Sequence, residues 1–237
     1  MSVRKPASSS RGRRKPGRSG SGVATFDNHV YYFVNHVDHR TWRHPSESRS
    51  PVPEHVFPTH TPDTAPPAAR QTIEGVRRTF GYVPTAVARL AESPETLKGF
   101  LTVNKIFESS GLAPLEREVV VLTVATRNEC HVCVALHTAT LHRLGAATEL
   151  VDGLRAGTPL PEARLEALRR FVLAVLERRG AVPDEDLRAF LAAGYQPRHA
   201  LDVVLGVGAY TISTFANRLV DAPLDAPLAA YAWEPAA

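Results

Sequence analysis

The chain is poor in sulfur. Its 237 residues include two cysteines and one methionine, so a small fold stapled by several disulfides is excluded. It has no run of eighteen or more apolar residues, and therefore no segment that reads as a membrane span. From residue 68 onward it also lacks the alternating apolar and polar runs, bounded by turn residues, that mark strands. Acid is missing from the first twenty residues, where Arg4, Lys5, Arg11, Arg13, Arg14, Lys15 and Arg18 stand. The net charge of +4 belongs to that arm, because the remaining 21 positive and 24 negative residues leave the rest at −3. A basic pI of this origin does not argue for nucleic-acid binding. Arg13-Arg14 is followed by no apolar segment, so an export signal is not read there.

What is present divides the chain into parts. Residues 1–22 are rich in Ser, Gly, Arg and Pro. Residues 23–50 carry aromatics and four histidines, His29, His36, His39 and His44, with a possible short strand at Val30 to Val34. No cysteine or carboxylate pattern gives those histidines a metal geometry. Prolines at 45, 51, 53, 58, 62, 66 and 67 suit an extended linker. Residues 1–67 are thus expected to be a disordered extension, 68–230 the folded body and 231–237 a tail.

In the body the apolar period is helical throughout, so the fold class is all-α. Helices are expected over Thr72 to Phe80, from Pro84, from Ser93 (as cap) and Pro94 toward Gly111, and over Pro114 to Asn128. Further helices follow over Cys130 to Leu144, Ala146 to Ala156, Pro161 to Arg179, Asp184 to Ala193 and Pro197 to Leu219. Small residues at Gly206-Val207-Gly208-Ala209 and at Ala135 and Ala139 suit close helix packing. The first half of the last helix is apolar nearly all round, which requires a cover and favours an oligomer.

The two cysteines form Cys130-His131-Val132-Cys133, followed by His137, with Glu118 one helix earlier. Positions 130, 133 and 137 share one helix face. Cys130 falls in the first turn, where free N–H groups favour a thiolate. The His137 ring is placed to reach either sulfur, and Glu118, with an apolar run behind it, can hold the imidazole or feed it protons. The i, i+3 spacing also permits a disulfide. Such a pair can cycle through sulfenic acid and disulfide. Three other readings stand beside it: a zinc site of Cys130, Cys133, His137 and Glu118, two small buried hydrophobes, and a redox sensor. Glu118 could instead be an ion-pair partner of Arg117 or Arg127. His142 and His199 read as surface or structural.

The compound motif Glu-x11-Cys-x-x-Cys-x3-His resembles the carboxymuconolactone decarboxylase superfamily, in its alkylhydroperoxidase D-like branch, over roughly residues 68–228. The resemblance implies a helical bundle that assembles into trimers or larger rings. It implies thiol-dependent reduction of hydroperoxides, a peroxiredoxin-type antioxidant activity, without a bound cofactor or metal. Cys133 would attack the peroxide, Cys130 would resolve it, and Glu118 and His137 would relay protons. An external thiol or dithiol would supply electrons. Apart from the resemblance, the missing export signal makes the cytoplasm the default location, and composition gives no membrane or nucleic-acid partner. One departure is that Val132 stands where the alkylhydroperoxidase has a second histidine, His131 lying one place earlier.

Overall fold

The computed structural model describes residues 56–235. Expectations for the basic arm, for His29, His36, His39 and His44, and for a strand at Val30 to Val34 lie outside the described residues. Among the described residues there are nine α-helices and no strand: α1 Pro67–Phe80, α2 Thr85–Leu90, α3 Pro94–Glu108, α4 Pro114–Arg127, α5 His131–Arg143, α6 Thr148–Ala156, α7 Ala163–Glu177, α8 Asp184–Ala192 and α9 Pro197–Leu219. A 3-10 helix, Ala226–Tyr231, follows.

Local chemistry sets these boundaries. Ser93 Oγ accepts from Thr96 N at 3.2 Å and caps α3, with Pro94 at the first helical position. At the start of α4, Glu116 reaches back to accept from Ala113 N at 2.8 Å. Gly157 ends α6 in the left-handed conformation, at φ 68°. His199 Nδ1 accepts from Gln196 N at 3.1 Å at the start of α9, a structural role.

Four expectations need correction. α1 starts at Pro67, ahead of Thr72, because a proline at the first helical position lacks only an N–H that has no partner there anyway. Pro84 is the cap of α2, extended at ψ 139°, rather than its first turn. Residues 56–66 are not a free linker: Ala65 is buried, Phe57 packs on the core, and His60 Nε2 meets Glu92 Oε2 at 2.8 Å. At the other end Trp233 donates Nε1–H to Arg155 O at 2.8 Å, so packing continues past Tyr231.

Helix α4 runs through the centre, packed against α5, α6, α7 and α9. Val119 to Ala125 are buried on every side of it, as its all-round apolar pattern requires. Helix α9 crosses α3 and α4 closely at Gly206, where an added Cβ would lie 2.6 Å from Phe107 Cε2 and 2.9 Å from Val120 Cγ1. Gly206→Ala is therefore expected to destabilise the fold by about 1–3 kcal/mol, read as a lower Tm. Gly208→Ala is the control, since nothing lies within 4 Å of its Cβ position; helix propensity makes it neutral or mildly stabilising.

The outward side of α9 is apolar: Leu201, Val204, Ile212, Phe215 and Leu219 are exposed, the last at 71%. By length and composition α9 could cross a membrane, with a mean hydropathy of 1.2 over an eighteen-residue window, of which 33% is buried. Its inward side nevertheless carries Tyr210, Ser213, Thr214 and Asn217, all buried. That polar face belongs to the site described next.

Candidate active site

The site is built where α4 turns into α5. Helix α4 ends at Arg127, Asn128 is its C-cap, and Glu129 takes a left-handed conformation at φ 52°. For a non-glycine residue that conformation costs of order 1 kcal/mol or more and needs support from its surroundings. The support is visible. Cys130 N donates to Ala125 O at 3.0 Å. Arg218 Nη1 donates to Asn128 O at 2.7 Å, and Arg218 pairs with Glu129 at 3.4 Å. Asn128 Nδ2 donates to Thr214 Oγ1 at 2.9 Å. Helix α9 thus pins the corner that presents the thiols.

Cys130 is the N-cap of α5, and its carbonyl accepts from Val134 N at 2.9 Å. Cys133 lies in the first turn and His137 one turn further on. All three are buried, with Cys130 at 1% and Cys133 at 3% exposure, and both thiols are free. Glu118, buried in mid-α4, faces α5, and its Oε2 lies 2.8 Å from His137 Nδ1. A carboxylate oxygen accepts, so Nδ1 carries the proton and Nε2 is the ring nitrogen left for chemistry. The ion-pair alternatives for Glu118 are not realised: Arg117 pairs with Glu108 and Arg127 with Glu177. Nor does either sulfur accept a hydrogen bond from His137 among the described residues; the histidine is committed to Glu118.

The sulfurs instead face α9. Asn217 Nδ2 donates to Cys133 Sγ at 3.3 Å and to Cys130 Sγ at 3.9 Å. Ser213 Oγ lies 3.6 Å from Cys133 Sγ. The Tyr210 ring stands edge-on to His137, centroids 5.1 Å apart. Burial, with Glu118 and Glu108 nearby, raises the Tyr210 phenol above its ordinary range, so it stays neutral. These α9 groups escaped the motif reading. Their signal was a polar face at positions 210, 213, 214 and 217 of an otherwise apolar helix.

The two thiols differ in acidity. The bond from Cys133 lowers Cys130 to about 7, opposed by burial and aided by backbone N–H groups and Asn217. Cys133, bonded to Cys130 and buried, is pushed well above the usual thiol range. Of the two thiols Cys130 is thus the more acidic, as the helix N-terminus suggests, whereas the resemblance assigns attack to Cys133.

A cavity of about 530 Å3 lies at the α4–α5 corner, lined by Glu129, His131, Leu224, Trp233, Glu234 and Pro235, with neither cysteine in its lining. Its C-terminal wall is held by Arg155, which donates to Tyr231 O at 3.1 Å and Ala232 O at 2.8 Å. His142 lies against Tyr231, centroids 5.5 Å apart, a packing role. Among the described residues no cluster of three or more His, Cys, Asp or Glu side chains is arranged to hold a metal ion.

Residues 94–160, which include all four motif residues, match the carboxymuconolactone decarboxylase family. No curated protein matches the chain. An AhpD-core, uncharacterised peroxidase-related protein from Ralstonia eutropha JMP134 superposes with a TM-score of 0.64 at 23% identity, over 73% of this chain and 93% of that one. A peroxidase-related protein from Silicibacter sp. TM1040 gives 0.61 at 21% identity, over 73% and 92%. The debrominase Bmp8, in complex with 2,3,4-tribromopyrrole, gives 0.59 at 14% identity, over 75% and 95%. The chain is similar to the carboxymuconolactone decarboxylase family over residues 94–160. Its helical body has the AhpD-like fold.

Proposed function

We propose that the chain is a thiol-dependent peroxidase that reduces hydroperoxides through Cys130 and Cys133. The observation that carries this reading is the pairing of two free, adjacent thiols, one of them acidified, with a Glu118–His137 dyad on the same helix corner. A thiolate attacks the O–O bond and becomes sulfenic acid, and the alkoxide leaves with a proton relayed through His137. The second thiol then displaces hydroxide from the sulfenic sulfur, forming the disulfide and, with a proton, water. An external dithiol reduces the disulfide and is itself oxidised. The chain's own residues carry every step, so no cofactor is invoked, and the proposed partners are a hydroperoxide and a thiol reductant.

The test is steady-state consumption of cumene hydroperoxide with dithiothreitol as reductant. Saturable turnover above the uncatalysed rate supports the reading; consumption no faster than by dithiothreitol alone overturns it.

The same proposal includes a homo-oligomer in the cytoplasm. The outward stripe of α9, Leu201, Val204, Ile212, Phe215 and Leu219, follows helical spacing and presents apolar side chains that a second copy would cover. Phe215→Glu combined with Leu219→Glu is expected to lower the mass measured by light scattering to that of one chain. An unchanged mass would place the interface elsewhere.

A further inference from the structure

Among the described residues Asn217 is the one side chain whose amide touches both reacting atoms, and the cysteine motif does not call for it. Its Nδ2 lies 3.3 Å from Cys133 Sγ and 3.9 Å from Cys130 Sγ. Its place is fixed rather than adaptable. It is buried, and its neighbours Thr214 and Arg218 bond Asn128 at the corner that carries Cys130. Ser213, one turn before it, faces Cys133 alone. An amide N–H is a donor, and a sulfur holding negative charge is an acceptor.

We propose that Asn217 is a catalytic residue: with Ser213 it gives Cys133 a second seat for the thiolate, so that the negative charge can pass from Cys130 to the cysteine one helical turn from His137. Charge on Cys130 is held by the first-turn N–H groups of α5, by the Cys133 S–H and by the longer Asn217 bond. When the Cys133 proton crosses to Cys130, no charge is gained or lost and no oxidant is needed. The anion on Cys133 then accepts from Asn217 at the shorter of its two distances, from Ser213 O–H and from the new Cys130 S–H. Attack by Cys133 and a thiolate on Cys130 thereby become two tautomers of one site. The inference rests on the thiol-pair reading above, but not on a hydroperoxide being the oxidant.

The experiment therefore uses no peroxide. The reduced full-length protein is titrated by thiolate absorbance at 240 nm. It is also labelled with less than one equivalent of iodoacetamide, the share on each cysteine being read by peptide mass spectrometry. In the native protein the first inflection is expected at about 7. Asn217→Leu removes the donor at similar volume and should move that inflection up by about 1–2 pH units. It should also lower the share of label on Cys133 by about tenfold. Asn217→Asp, which replaces the donor by an acceptor, should move both further. Ser213→Ala tests the cradle should Asn217→Leu lose its helical circular-dichroism signal: it should deplete label on Cys133 and leave the first inflection in place. An inflection and label ratio in folded Asn217→Leu equal to the native values would overturn the inference. Equal label ratios in Ser213→Ala would overturn the cradle at Cys133. Shifted titrations beside a native protein that turns over no hydroperoxide would uphold this inference and overturn the peroxidase reading, so the two fail separately.

Discussion

Cys133→Ser is expected to abolish hydroperoxide turnover, a loss of at least about 10³-fold, while leaving the protein folded. The serine hydroxyl is slightly smaller than the thiol it replaces, and Asn217 and Ser213 remain to bond it. No disulfide can then form, so an equivalent of hydroperoxide can consume at most the one remaining thiol. Cys130→Ser should behave differently. Cys133 keeps its donors and its place one turn from His137, yet it loses its resolving partner. Sulfenic acid is expected to accumulate there and to be trapped by dimedone, adding one label per chain on mass spectrometry. Label on Cys133 in that variant, and turnover lost in both, would assign attack and resolution in the order the family resemblance implies. Sustained turnover by Cys133→Ser would remove the pair from the chemistry.

The second large effect is expected at the dyad. Glu118→Gln retains the shape of the side chain but removes the negative charge that orients His137 and supports an imidazolium. If His137 passes the proton to the leaving alkoxide, turnover should fall by about 10²–10⁴-fold, the range for a lost general acid–base partner. The first thiolate inflection should stay at about 7, because the groups that set it are Cys133, the backbone and Asn217. An unshifted titration with depressed turnover is therefore the signature of a proton relay, as opposed to a thiol activator. His137→Leu makes a poorer probe of chemistry, since it leaves the Glu118 carboxylate buried without its partner. It should cost about 3–5 kcal/mol of stability, seen as a marked drop in Tm. Glu118→Gln at native turnover would reduce the dyad to a structural pair.

Much of this geometry was legible in the sequence because it is local. The i, i+3, i+7 spacing of Cys130, Cys133 and His137 sets a shared face by helical period alone, and the placement of Cys130 at the helix start follows from the break around Asn128 and Glu129. The meeting of Glu118 with His137 needs only that two consecutive helices pack antiparallel through a short turn. The α9 contribution is of another kind. Ser213 and Asn217 are some eighty residues from the thiols, and their approach depends on how α9 crosses α4, which is set by the close fit at Gly206. Periodicity shows that α9 has a polar face, but not what that face meets. The misplaced boundaries differ in cause. Pro66-Pro67 reads as linker by composition and serves as a helix opening in the fold, whereas Trp233 reads as tail until its indole finds the Arg155 carbonyl. Boundaries fixed by tertiary bonds leave no local trace.

The central claim is that Cys130 and Cys133 form one redox unit, and the most direct measurement counts them. Metal-free, fully reduced protein carries two free thiols per chain; these are titrated before and after one equivalent of an organic hydroperoxide. The account predicts that both disappear within seconds and that a dithiol restores both over repeated additions. Thiols that persist, or that react only over hours, would contradict it and leave the pair a buried structural feature of the corner.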